Sequence, residues 1–189
     1  MSCLHSLHTK LSIALFLLFC VIGLLAFAIG RYAADMYHQE ITQRLNHDIA
    51  KHIAADQKLI ANGEPNLPAL KQLAHHAMVI NPTTEIYLLD PGGKVLGHAL
   101  RKETVLRTKV DLTPVQKFID GSSKLPIMGQ DPRNTEKQKI FSATPIYKNN
   151  QIQGYLYVIL GGKLYDNLLL SVQHSYVLTI SAIAITLCV

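Results

Sequence analysis

Histidine is the residue type here with the most chemistry to offer, and the chain has nine of them. A neutral imidazole ligates metals, and the same ring titrates near neutrality. The spacing works against a shared ion. His47 and His52 are five apart, and a helix turns such a pair about 140° away from each other. His75 and His76 are adjacent and diverge in the same way, while His5 and His8 share a face within the short N-terminal tail. These rings read as solvated or packed side chains, with a pH response as their remaining chemistry. No G-x-S-x-G, H-E-x-x-H or P-loop pattern occurs, so no nucleophile, metal-held water or phosphate cradle is assembled. The sequence predicts no catalytic residues, no metal and no cofactor.

Binding is better represented than catalysis. Arg101, Lys102, Arg107 and Lys109 cluster in one charged connection, and Arg133 follows in a later loop. Such a set suits a small anionic ligand, for example a carboxylate, or the anionic headgroups of a membrane surface. The bland alternative is a solvated loop. Tyr87, Tyr147, Tyr155 and Tyr157 lie on predicted strands; rings facing the core pack there, and any outward hydroxyl lines a pocket. The candidate ligand-binding set is therefore Arg101, Arg107, Lys109, Arg133, Tyr87 and Tyr147.

The elements that must position these residues lie between two apolar runs. Leu11 to Gly30 contains 20 residues without a charge, a helix about 30 Å long and so the thickness of a bilayer's hydrocarbon core. Ala26-Phe27-Ala28 would serve as a signal-peptidase site, but the run is longer than a signal peptide's apolar region and only Lys10 precedes it, so a retained span is the preferred reading. Tyr176 to Val189 is a second uncharged run of 14 residues, which reads as a membrane helix cut short. The expected organisation is a cytoplasmic tail at 1–10, spans at 11–30 and 176–189, and one extracytoplasmic domain at 31–175. That places the protein in the inner membrane as a multi-pass chain with its domain in the periplasm.

All 13 acidic and 17 of the 18 basic residues fall between the two runs. The resulting excess of about four positive charges is too dilute for a nucleic-acid stripe. Cys3, Cys20 and Cys188 lie in the tail and the apolar runs, so the middle domain has neither a disulfide nor a thiolate metal site.

Within the domain, Ile41, Leu45, Ile49, Ile53 and Ile60 recur at helical spacing and predict one amphipathic helix over 32–60. Its apolar stripe suits packing on the sheet and on a second subunit. A helix from Pro68 to about Met78 follows, capped near Asn66 or Leu67. Glu85–Leu89 and Lys94–His98 flank the turn Asp90-Pro91-Gly92-Gly93 and predict a hairpin. Thr113-Pro114 opens a short helix that ends at Asp120-Gly121. Ile140–Tyr147 and Ile152–Leu160 predict a second hairpin, and 163–175 a last helix. The fold class is α+β, one antiparallel sheet flanked by helices.

The run EIYLLDPGGKVLGH, followed by FSATPIYKNNQIQGYLYVILGG, resembles the extracytoplasmic PAS-like sensor domain (PDC or single Cache) of bacterial two-component sensor histidine kinases. The resemblance covers about residues 11–189 of the chain. It implies a homodimer and the input half of a transmembrane receptor, in which a kinase core beyond the second span passes phosphate to a response regulator. No phosphoacceptor-histidine box or glycine-rich ATP lid occurs in these residues, so kinase activity is implied for the intact family only. The alternatives are a membrane-tethered binding protein without output, and the sensor of a chemotaxis or cyclic-dinucleotide receptor.

Overall fold

A computed structural model describes residues 7–55, 59–61, 64–98, 100 and 104–161. The last predicted helix, the second apolar run, Arg101 and Lys102 lie outside the described residues. The chain divides into two units, with the boundary between Ile41 and Thr42.

The first unit is helical. Helix α1 (Leu7–Leu45) contains the apolar run, and its large apolar side chains are exposed all round, Phe16 at 68% and Leu24 at 70%. Among the described residues it is the one helix long and apolar enough to cross a membrane. Side chains of this kind exposed on every face need an apolar surrounding.

The second unit is α+β, as the sequence predicts. After α1 come α2 (Ile49–Ala55), β1 (Ile60–Ala61), β2 (Glu64–Pro65), α3 (Leu67–Ile80), β3 (Glu85–Leu89), β4 (Val95–His98), α4 (Leu112–Ile119), β5 (Met128–Gln130), β6 (Gln138–Lys148) and β7 (Gln151–Ile159). The five longer strands form one sheet in the order β4-β3-β7-β6-β5. Each neighbouring pair is antiparallel.

Period-2 alternation puts two cores on the two faces of this sheet. Ile86, Leu88, Leu156 and Val158 meet Ala50, Leu70, Leu73 and Ala74 from α2 and α3. Tyr87, Leu89, Tyr157, Ile159 and Phe141 meet Val110, Val115 and Phe118 on the other side. All five residues of β3 are buried, which is why that strand reads as a continuous run. Phe141 and Tyr157 sit with ring centroids 5.0 Å apart, and Phe118 is 5.2 Å from Phe141.

Local signals account for most boundaries. The Asn66 side chain caps α3 by accepting from the Ala69 N–H. Asp90 Oδ1 accepts from the N–H groups of Gly92 and Lys94, each at 2.8 Å, and fixes the first hairpin turn. Gly93 stands at φ 86°, a left-handed conformation that favours glycine. Asn149 and Asn150 take φ 50° and 64° in the second turn, the pair of left-handed residues that a tight two-residue hairpin requires.

Two expectations are corrected, and one strand adds to them. The predicted helix over 32–60 is interrupted at 46–48 and ends as a strand at Ile60. Asn46 turns its side-chain amide back onto the Thr42 carbonyl at 2.8 Å, a local bond that competes with helix continuation. Ser142 then bridges the interruption, donating to the His47 carbonyl at 2.6 Å and accepting from the Ala50 N–H at 3.2 Å. The stripe splits accordingly: Leu45 is 80% exposed, Ile49 and Ile53 pack partly into the core, and Gln43 is the residue of α1 that is buried. The cap of α4 is Asp111, which accepts from the Thr113 N–H at 2.9 Å. That bond chiefly holds the Asp111 carboxyl below the usual carboxylate range. Finally, β5 is a three-residue strand, too short to show a period.

Candidate functional site

Two clusters of charged side chains flank the edge and one face of the sheet. The first follows from the position of β4 at the sheet's edge. Its start is covered by the returning chain: Val95 N–H donates to Thr108 O at 2.9 Å and Val110 N–H to Gly93 O at 2.8 Å. Gly97 lets α3 approach β4, since a Cβ there would meet Leu70 Cδ2 at 3.1 Å and Leu67 closer still. The result is a groove of about 430 Å³. Leu67, Val95, Leu96, Leu100 and Val105 supply its apolar lining, and Lys71, Lys94, His98 and Arg107 its polar one. Among the described residues no carboxylate lines it.

Arg107 is half-buried, and its guanidinium is oriented from one side. Nε donates to the Asn134 carbonyl at 3.3 Å and Nη2 to the Thr135 carbonyl. Those bonds use two of its five N–H donors. The 131–135 turn they grip is built by Asp131, whose Oδ1 accepts from the Arg133 N–H at 2.8 Å, and by backbone bonds from Leu106 and Arg107 to the Pro132 carbonyl.

The second cluster is enclosed. Glu85 opens β3 and is only 4% exposed. Its Oε1 accepts from Arg133 Nη1 at 2.7 Å, and its Oε2 from the Tyr87 hydroxyl at 2.8 Å. Lys139 Nζ lies 3.8 Å from Asp131 Oδ2 and donates to the Gly161 carbonyl at 2.7 Å. The Tyr157 hydroxyl donates to Gln130 O at 3.0 Å. Burial, then the neighbouring Glu85 charge, pushes the Tyr87 phenol well above its ordinary range; burial, then Asp131, does the same to Tyr157. Among the described residues no buried side-chain polar atom lacks a hydrogen-bond partner. Two carboxylates and two cations thus compensate one another and tie the 131–139 segment to the sheet.

The sequence-predicted set is dispersed by this geometry. Arg107 lines the groove. Arg133 and Tyr87 come together through Glu85 in the enclosed cluster. Lys109 is exposed and bridges to Lys94 through the backbone. Tyr147 is 60% exposed beside the β6–β7 turn. Sequence reasoning missed Lys71 and Lys94, which single charges on a helix and at a strand end do not announce. It also missed Glu85, although an acid opening an otherwise apolar strand is a signal of a buried pair.

His47 lies in the α1–α2 interruption, stacked on Phe118 at 4.7 Å and 3.0 Å from Asp48 Oδ1. That bond chiefly lowers the Asp48 carboxyl. Among the described residues no three His, Cys, Asp or Glu side chains converge on a metal position. Three permanent cations, Lys71, Lys94 and Arg107, thus stand around the apolar lining of the groove. No family model matches the chain, and no curated protein matches it.

Proposed function

We propose that the chain is the membrane-anchored sensing part of a transmembrane receptor of the two-component sensor kinase type. Residues 31–175 form its PAS-like periplasmic domain, and 176–189 contribute a second membrane segment. One observation carries the reading: α1 holds the apolar run, and in its last turn Gln43 is buried and hydrogen-bonded to Phe141 of β6. An antiparallel sheet with helices on both faces and a cation-lined groove supports it further. In this reading a ligand that favours one state of the domain biases the position of the membrane helices, a small displacement of a bistable pair. Two copies form the working receptor, and a response regulator is reached through a kinase core.

The test is a thermal-unfolding screen of the full chain in nanodiscs against small carboxylates, amino acids, divalent cations and pH. A ligand that binds only the folded state must raise its melting temperature. Stabilisation by one compound class is the expected result. No shift from any of them would contradict small-molecule sensing.

A further inference from the structure

We propose that the groove beside β4 binds a soluble organic carboxylate with an apolar body, held by Lys71, Lys94 and Arg107. The inference rests on the sensing reading and gives that reading a site and a ligand class. It places recognition at the sheet edge, away from the enclosed Glu85–Arg133 cluster.

Charge complementarity comes first. Among the described residues three permanent cations and no carboxylate line the groove, so these side chains give it a positive potential that an anion relieves. A lysine at a sheet edge has a simpler use, since it discourages pairing with another chain. Arg107 does not fit that use. It is half-buried, and two carbonyls of the 134–135 turn fix its guanidinium, leaving N–H groups with which a fork can meet a carboxylate.

Size and apolarity narrow the occupant. About 430 Å³ lies near the lower end of the range for small-molecule pockets, about 300–1,000 Å³, and is too small for a two-chain lipid. Inorganic phosphate would leave Leu67, Val95, Leu96 and Val105 uncovered. A branched or aromatic acid covers them while its carboxylate meets the cations.

The experiment measures binding to the full chain in phosphatidylcholine nanodiscs by calorimetry, using phenylacetate, benzoate and isovalerate. Phenylacetamide and inorganic phosphate serve as comparison probes. The acids are expected to bind, with the amide and phosphate at least about tenfold weaker, the loss expected when a charge-assisted contact is removed. Lys71→Gln with Lys94→Gln should weaken the acids by about tenfold or more. Both lysines are exposed, so this variant keeps its fold. Thr108→Trp, at an exposed lining position, should fill the groove and abolish binding at an unchanged melting temperature. Equal binding of the amide or phosphate would overturn the ligand class. Stabilisation that arises only on adding phosphatidylglycerol to the nanodiscs would make the occupant a lipid and overturn the proposal. Acids that bind undiminished to both variants would overturn the groove and leave the sensing reading standing. If no acid binds, the groove proposal fails, and the wider screen for amino acids, cations and pH decides the sensing reading separately.

Discussion

The side-chain amide of Gln43 donates to the carbonyl of Phe141 at 2.8 Å, joining the last turn of α1 to a strand 98 residues away. The same nitrogen donates to Ile127 O at 3.0 Å, and the side-chain oxygen accepts from Ile127 N–H at 2.7 Å. Phe141 pairs with Ile159 on β7, and the Leu160 N–H bonds Ile140 O. Gln43 and Leu160 therefore bond adjacent residues of β6, Phe141 and Ile140. On the sensing proposal Gln43 is the joint between the sheet and the last turn of α1.

Gln43→Leu keeps the volume and removes three hydrogen bonds to buried backbone groups. It should cost at least about 3 kcal/mol, since each of the three buried groups left unsatisfied costs about 1–3. Gln43→Glu should cost more, because it buries a negative charge against the two carbonyl oxygens. Guanidinium unfolding of the full chain in micelles measures both. A loss below about 0.5 kcal/mol, less than one net hydrogen bond, would remove the joint from the account.

Arg133→Met leaves Glu85 charged and enclosed, and should destabilise by about 3–5 kcal/mol. Adding Glu85→Gln should recover much of that loss, because the orphaned charge is gone. The two unfolding curves form the check. Equal losses in the single and double variants would mean that the pair does not act as a unit.

The tyrosines make stability pH-dependent on the alkaline side. Tyr87 and Tyr157 have pKa values raised by burial, so folding holds both phenols neutral. Their contribution is complete below pH about 10, the unfolded phenol's value, and is lost as pH rises beyond it. A titration followed at 295 nm should show at least two of the eight tyrosines ionising only with unfolding. A smooth titration of all eight at the ordinary value in the folded protein would contradict their burial.

Asn150→Gly should be neutral or slightly stabilising, because glycine takes the left-handed conformation without strain. Asn150→Val should cost about 1–2 kcal/mol, the penalty of a β-branched residue there. The melting temperatures of the two variants decide between a strained and a relaxed turn.

The hairpins were legible because their turn residues act locally: Asp90, Gly93, Asn149 and Asn150 each satisfy a turn by their own chemistry. Asn66 and Asn81 bounded α3 in the same way. The α1–α2 interruption was not legible, since Asn46 alone rarely ends a helix and the decisive partner, Ser142, is about a hundred residues distant. Gln43 was invisible for the same reason. The candidate site was read in part. Arg107 follows from the basic cluster, but Lys71 joins it only because Gly97 draws α3 onto β4. Arg133 was found as a charge, while its role depends on Glu85, 48 residues earlier.

The side of the membrane on which residues 42–161 stand decides whether this is an extracytoplasmic sensor. Ser123 lies in an exposed loop. Ser123→Cys, in a background with Cys3, Cys20 and Cys188 changed to serine, gives one reporter on the domain. Intact bacterial cells expressing the full chain are treated with a membrane-impermeant maleimide and compared with lysed cells. A domain anchored outside by α1 predicts full labelling before lysis. Labelling only after lysis would place the domain in the cytoplasm and contradict the receptor topology.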